Sequence, residues 1–248
     1  MTGTVAHIFR HPIKAHGREA LASVLLSAGE CLPWDRRWAV AQEAAKLVPG
    51  WNSCVLFSRG AKSPQLMAIT CALDEASGRV VLDHPQAGRL SFRPDDPADL
   101  PAFLAWAAPL VAEGRMAPVG IARHDGGMTD NPVPTVSILS LASLQDLSRR
   151  MGMDLSIHRW RANFWIEGAE PWAELAWVGR RISLGRAELE VTERIGRCKA
   201  TGVNPETGLP EGDTLAALED NFAHTDFGVF AKVVTDGRVS IGDAWSLT

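Results

Sequence analysis

The chain has 248 residues, with 25 Lys and Arg against 29 Asp and Glu and a formal net charge of −4. That length suits one large domain or two intimate ones, and it buries roughly 70–75% of the surface an unfolded chain exposes, so a full core forms without staples. No dense basic block marks a nucleic-acid tail or a polybasic anchor, the longest apolar runs are too short for a membrane span, and Cys31, Cys54, Cys71 and Cys198 show neither CxxC nor Cys/His zinc spacing.

The opening "MTGTVAHIFRHPIK" lacks the charged-then-apolar order of a signal peptide, which places the protein in the cytoplasm with neither nucleic acid nor membrane as a partner. "TVAHIFRHPIKA" and "WAVA" read as strands, and His7, His11 and His16 between them are spaced too irregularly to converge on a metal. "ITCALDEASGRVVLDHP" predicts a hairpin turning at Glu75–Gly78. "ADLPAFLAWAAPLVAEG" carries helical spacing from Leu100 and ends at Gly114. The Pro- and Gly-rich "GGMTDNPVPTVSIL" is the best candidate for a boundary, dividing the chain into residues 1–120 and 121–248. A second helix starts after Ser140 and stops at Gly152, "ISLGRAELEVTERIG" alternates like a strand, and "DTLAALED" offers a short helix capped by Asp213. "AKVVTDGRVSIGD" repeats the hairpin device at Asp236–Gly237. The class is therefore mainly β, with a few helices. The nine tryptophans sit at positions that suit core packing.

Cys198 stands apart. It lies between Arg197 and Lys199 in "TERIGRCKATGVNPETG", whereas a structural cysteine usually sits among apolar neighbours. Flanking cations favour the thiolate, the form that binds metals and attacks electrophiles.

Three fragments in order, "HPIKAHGREAL" with "WDRRWAV", "HRWRANFWIEGAEPWAELAW" and "GRCKATGVNPETG", resemble the MOSC (molybdenum cofactor sulfurase C-terminal) family preceded by its N-terminal β-barrel domain, the arrangement of the mitochondrial amidoxime-reducing component and its bacterial relatives. The resemblance covers nearly the whole chain. The family's Arg-Phe-Arg-Pro-Asn stands here as Arg159-Trp160-Arg161-Ala162-Asn163. Its Arg-Cys-x-x-Thr-x-Val-Asp-Pro-x-Thr-Gly runs from Arg197 to Gly208, with Asn204 replacing the aspartate.

The resemblance implies an N-terminal β-barrel-like domain packed on a C-terminal MOSC-type β-barrel, with a molybdopterin-type molybdenum cofactor in the cleft between them. Cys198 would be the catalytic thiolate and molybdenum ligand, with Lys14, Arg36, Arg161, Asn163 and Arg197 around the pterin and its phosphate. A soft thiolate suits a metal already bound by sulfur, and planar guanidinium groups suit bidentate contacts to phosphate. The implied function is an oxidoreductase that reduces small N-hydroxylated substrates with electrons from an external electron-transfer protein. The alternative is a carrier in which Cys198 passes sulfur or the cofactor to an acceptor. Where the family carries a Thr-x-Arg motif, this chain has an insertion, Ser58–Ser63, which with Arg59, Gly60 and Lys62 reads as a mobile basic loop at the mouth of the cleft.

Overall fold

The computed structural model describes all 248 residues. In chain order the strands are β1 (Thr2–Arg10), β2 (Ile13–Lys14), β3 (Glu19–Leu21), β4 (Ser23–Leu26), β5 (Trp38–Gln42), β6 (Thr70–Asp74), β7 (Arg79–His84), β8 (Gly88–Phe92), β9 (Pro118–Arg123), β10 (Val136–Ser140), β11 (Phe164–Glu167), β12 (Arg181–Leu184), β13 (Ala187–Gly196), β14 (Asp226–Thr235), β15 (Gly237–Ser240) and β16 (Ala244–Leu247). Three α-helices, α1 (Leu100–Ala107), α2 (Leu141–Met151) and α3 (Thr214–Phe222), complete the regular structure.

Alternating apolar residues on long strands close a sheet on itself, which removes its edges. Strands β11, β10, β14, β13, β12, β16 and β1 follow one another, and β1 pairs back onto β11 to seal a seven-stranded barrel. Thr2–Thr4 lie against β16 and Thr4–Ile8 against β11, after which Ile8–Arg10 leave the barrel to pair with β3. The barrel core holds Val5, Ile8, Ile138, Phe164, Leu189 and Trp245, all essentially inaccessible to solvent.

The rest of the N-terminal region surrounds a second core of Ile13, Trp38, Val40, Leu82, Phe92 and Phe103. It is built from the three-stranded sheets β2–β5–β9 and β6–β7–β8, with α1 packed alongside. The fold is thus mainly β, in two parts, as expected. The parts interlock, because β1 belongs to the barrel and the ribbon β4–β15 joins early and late sequence.

Local chemistry explains the element ends. The Ser140 hydroxyl accepts from the Ser143 amide at 3.4 Å to cap α2, and Gly152 ends it with φ +63°, a left-handed value that glycine adopts without strain. Asp213 caps α3 through the Ala216 amide at 3.0 Å. The helix from Leu100 is shorter than its periodicity predicts: Pro109 has no amide hydrogen, and the chain tightens into a 3-10 turn at Ala108–Leu110. The hairpin at Glu75–Gly78 forms, with Thr70 to Asp74 paired against Arg79 to Asp83. The hairpin at Asp236–Gly237 does not. There β15 pairs with β4, the Asp236 carboxylate accepts from the Ala28 amide at 2.7 Å, and Gly237 packs directly on the Arg186–Ala187 backbone, where a side chain would clash.

Candidate functional site

The barrel opens onto the N-terminal region at the C-terminal end of β13. Three register irregularities against β14 bend this strand, and such bulges commonly re-aim side chains beside functional sites. It ends at Gly196, and the next two residues are Arg197 and Cys198. A cavity of about 350 Å³ lies here, and Lys14, Arg36, Arg161, Asn163, Arg197 and Cys198 all line it. The six residues named from sequence, dispersed over almost two hundred positions, therefore meet on one wall system.

Lys14 is held firmly: its ammonium donates to the Met128 carbonyl at 2.8 Å and to the Asp130 carboxylate at 2.6 Å. Arg36 pairs with the adjacent buried Asp35 and donates to the Arg161 carbonyl at 2.8 Å. Asp35 in turn accepts from the His11 amide at 2.7 Å. Burial raises the Asp35 pKa, but Arg36 and His11 together outweigh burial and hold the carboxyl below its ordinary value. Both Arg36 and Arg161 sit at positive φ, +52° and +49°. That region is unfavourable for a side chain with a Cβ, and strain of this kind clusters at functional sites.

Arg161 donates to the Gly17 carbonyl at 3.1 Å and forms no ion pair; burial, with Arg36 adding repulsion, drags its pKa down to about 9. Arg197 is likewise lowered to about 9, burial again dominating. It donates to the carbonyls of Phe227 and Trp160, and its guanidinium lies 5.5 Å from the Trp160 ring centre. Asn163 contributes differently. Its amide oxygen accepts from the Ser137 amide and hydroxyl, both at 3.0 Å, and its nitrogen donates to the Phe9 carbonyl at 3.3 Å. These bonds fasten β10 to β1 across the cavity floor.

Cys198 is exposed at the cavity rim. Its carbonyl accepts from the Thr201 amide and hydroxyl at 3.2 and 3.0 Å, and the loop beyond is gripped from both regions of the protein. From the barrel, buried Arg159 donates to the Glu211 carbonyl at 2.9 Å and pairs with its carboxylate. From the N-terminal side, buried Arg18 donates to the Pro205 carbonyl at 3.2 Å and to Glu206 at 3.0 Å. Asn204 keeps the turn: its side-chain oxygen accepts from the Glu206 amide at 2.8 Å.

Several lining residues escaped the sequence reading. Thr129 and Asp130 lie in the segment read as a boundary, and Cys54 is a second thiol on the wall. Of the basic loop expected at the mouth of the cleft, Arg59 lines the cavity while Lys62 is exposed and does not. The loop is braced rather than loose: Ser58 and Ser63 are buried, and the Ser58 amide donates to the Val40 carbonyl at 2.9 Å. Of the six basic side chains on the wall, Lys14, Arg36 and Arg159 pair with carboxylates, and Arg59, Arg161 and Arg197 do not. A low-dielectric cleft with unpaired guanidinium groups is built for an anion.

A closed barrel whose rim carries this thiol and these cations, joined to a smaller β region, is a two-domain MOSC protein. The chain matches the MOSC domain over residues 125–246 and the MOSC N-terminal beta barrel domain over residues 2–108, and it belongs to that family. It is similar to mitochondrial amidoxime-reducing component 1 of Danio rerio, with 25% identity over 258 residues, covering 84% of this chain and 70% of that protein. Mitochondrial amidoxime-reducing component 1 of Homo sapiens is 36% identical over 118 residues, 43% of this chain and 34% of that protein. Molybdenum cofactor sulfurase of Caenorhabditis briggsae is 30% identical over 99 residues, 38% of this chain and 14% of that protein. No helix is long and apolar enough to cross a membrane.

Proposed function

We propose that this protein is a molybdenum-cofactor oxidoreductase that reduces N-hydroxylated compounds with electrons delivered by a separate protein. The observation that carries the reading is the convergence of two unpaired guanidinium groups, Arg161 and Arg197, on one cavity with the exposed thiol of Cys198. The residues fit the cofactor: a soft sulfur donor for molybdenum, and cations lacking counterions for its phosphate and pterin. Bound molybdenum would supply two-electron oxygen-atom chemistry, by which N–OH, two electrons and two protons become N–H and water.

The chain's own residues perform the remaining tasks. Cys198 holds the metal, its backbone fixed by Thr201. Lys14, Arg36, Arg161 and Arg197 hold the anionic portion, with Asp130 and Asp35 setting the angle of approach of the first two. Trp160 and Phe230 provide apolar wall that excludes water. A carrier role for Cys198 is the second reading, favoured by the exposure of the thiol and by the match to molybdenum cofactor sulfurases. Metal and pterin analysis of protein from a cofactor-producing host, followed by amidoxime reduction with a chemical electron donor, tests both. Stoichiometric molybdenum with turnover supports the enzyme, molybdenum without turnover supports the carrier, and absence of both metal and pterin overturns the two together.

A further inference from the structure

Beyond the four cations assigned to the cofactor, the cleft wall carries Arg159, which pairs with Glu211, and Arg59, which is unpaired and has a distinctive position. Arg59 comes from the Ser58–Ser63 loop of the N-terminal region and lines the cavity. Its Nε is sealed from solvent with no hydrogen-bond partner, and its guanidinium meets no carboxylate. A shielded donor left unpaired costs stability unless a ligand completes it.

Placement separates Arg59 from the deeper cations. Its neighbour Gly60 is pressed so close to Met67 that a Cβ would come within 2.6 Å of the sulfur, and that Cβ would lie 3.7 Å from the Ala200 side chain. Ala200 is two residues beyond Cys198, so the Arg59 loop borders the exposed, thiol-bearing end of the cleft. Lys14 and Asn163, by contrast, are almost fully buried at its inner end. The loop is preset: the Ser63 amide donates to the Arg59 carbonyl at 2.9 Å, and both flanking serines are buried. Arg59 and the exposed Cys198 therefore line the same end of the cleft.

We infer that Arg59 is a specificity-determining residue that binds an anionic group, a carboxylate or phosphate, on the substrate, so that the preferred substrates are acidic N-hydroxylated compounds. The inference rests on the reductase reading for its reaction but on the geometry of Arg59 for its ligand. The same anion chemistry could come from the cofactor's phosphate, and the experiment separates the two sources.

Protein isolated from a cofactor-producing host is compared with Arg59→Met and Arg59→Lys for molybdenum content, melting temperature, kcat/KM on benzamidoxime and on its 4-carboxylate, and calorimetric affinity for benzamidine and 4-carboxybenzamidine. In Arg59→Met the preference for the carboxylated substrate falls about tenfold or more, as does the affinity preference for the carboxylated ligand, with molybdenum content retained. Arg59→Lys recovers part of the preference, because it keeps the charge and loses the fork. Equal preference in wild type and Arg59→Met overturns the inference. Loss of molybdenum in Arg59→Met also overturns it and assigns Arg59 to the cofactor. A wild type that reduces neither compound refutes the reductase reading alone, and the calorimetric preference then decides whether Arg59 binds the anion. If Arg59→Met fails to fold, the same comparison with Arg59→Lys decides, an undiminished preference counting against the fork.

Discussion

Replacing Arg161 by methionine tests whether the cleft is organised for a ligand at the expense of the free protein. Burial and the nearby Arg36 lower Arg161 from 12.5 to about 9. At about 1.4 kcal/mol per pKa unit, this sets an upper limit of about 5 kcal/mol on the strain of keeping the group charged. Arg161 is only partly shielded, and solvent screening reduces the figure to about 2 kcal/mol. Against that, the variant loses the bond to the Gly17 carbonyl, about 1 kcal/mol. Methionine retains much of the packing. The cofactor-free Arg161→Met protein is therefore expected to be more stable than wild type by about 1 kcal/mol, which raises the melting temperature by about 2–4 °C for a chain of this size. The same variant, made in a cofactor-producing host, should carry much less molybdenum. Urea denaturation of the cofactor-free proteins and metal analysis of the loaded ones provide the comparison. A variant that is clearly less stable yet fully loaded would refute the reasoning and make Arg161 a structural residue.

Cys198→Ser should abolish amidoxime reduction, while Cys54→Ser, the stringent control because it alters the other thiol on the cavity wall, should retain it; the reverse pattern would move the metal to Cys54. Cys31→Ser and Cys71→Ser should also retain activity, since burial pushes those thiols up to about 11 and 12 and keeps them protonated at neutral pH. Glu174 is fully buried, and burial raises it from 4.5 to about 7 although the Ser143 hydroxyl donates to it at 2.9 Å. The folded state then holds that proton more tightly than the unfolded chain, so this contribution is complete below about pH 4.5 and is lost as pH rises to 7, about 3 kcal/mol in all. Glu174→Gln should therefore gain stability relative to wild type on going from pH 5 to pH 8, and parallel melting curves would count against it. His11 and His16 act in the opposite sense: burial depresses them to about 3 and 4, so stability present above pH 6.5 is lost as pH falls through those values. Melting temperatures that do not drop between pH 7 and pH 4 would show that these rings protonate in place.

Much of this was legible in the sequence because local chemistry dictated it. Ser140 and Gly152 delimit α2 as their caps predict, and the Glu75–Gly78 turn has no competing partner. Asp236–Gly237 carries the same turn residues, but the edge of β4 offers β15 its ladder, and tertiary pairing overrides the local preference. At the site, Cys198 announced itself through its charged neighbours, and Arg161 and Arg197 through the motif that surrounds them. Asp130 did not, since a Pro- and Gly-rich segment reads as a connection whether or not it lines a cleft. Arg59 was legible as part of a basic loop at the mouth of the cleft, but the loop's rigidity was not: composition says nothing about whether the backbone is braced, and only the burial of Ser58 and Ser63 shows that it is.

The sealing of the barrel by β1 has a consequence for how the molecule comes into being. Thr2–Thr4 find their partners only when Ala244–Ser246 exist, so the first barrel strand to leave the ribosome must wait for the last. Contacts so distant in sequence slow folding and leave an unpaired edge during synthesis. Residues between β1 and β10 are, in topological terms, a loop threaded out of an unfinished cylinder, and their own core can condense while the cylinder waits. The anion cleft forms at the junction of the two, so it comes into existence only at closure. Severing the chain near residue 120 accordingly leaves a barrel with a missing stave rather than two independent modules, and a cofactor could be inserted only after the final strand is in place.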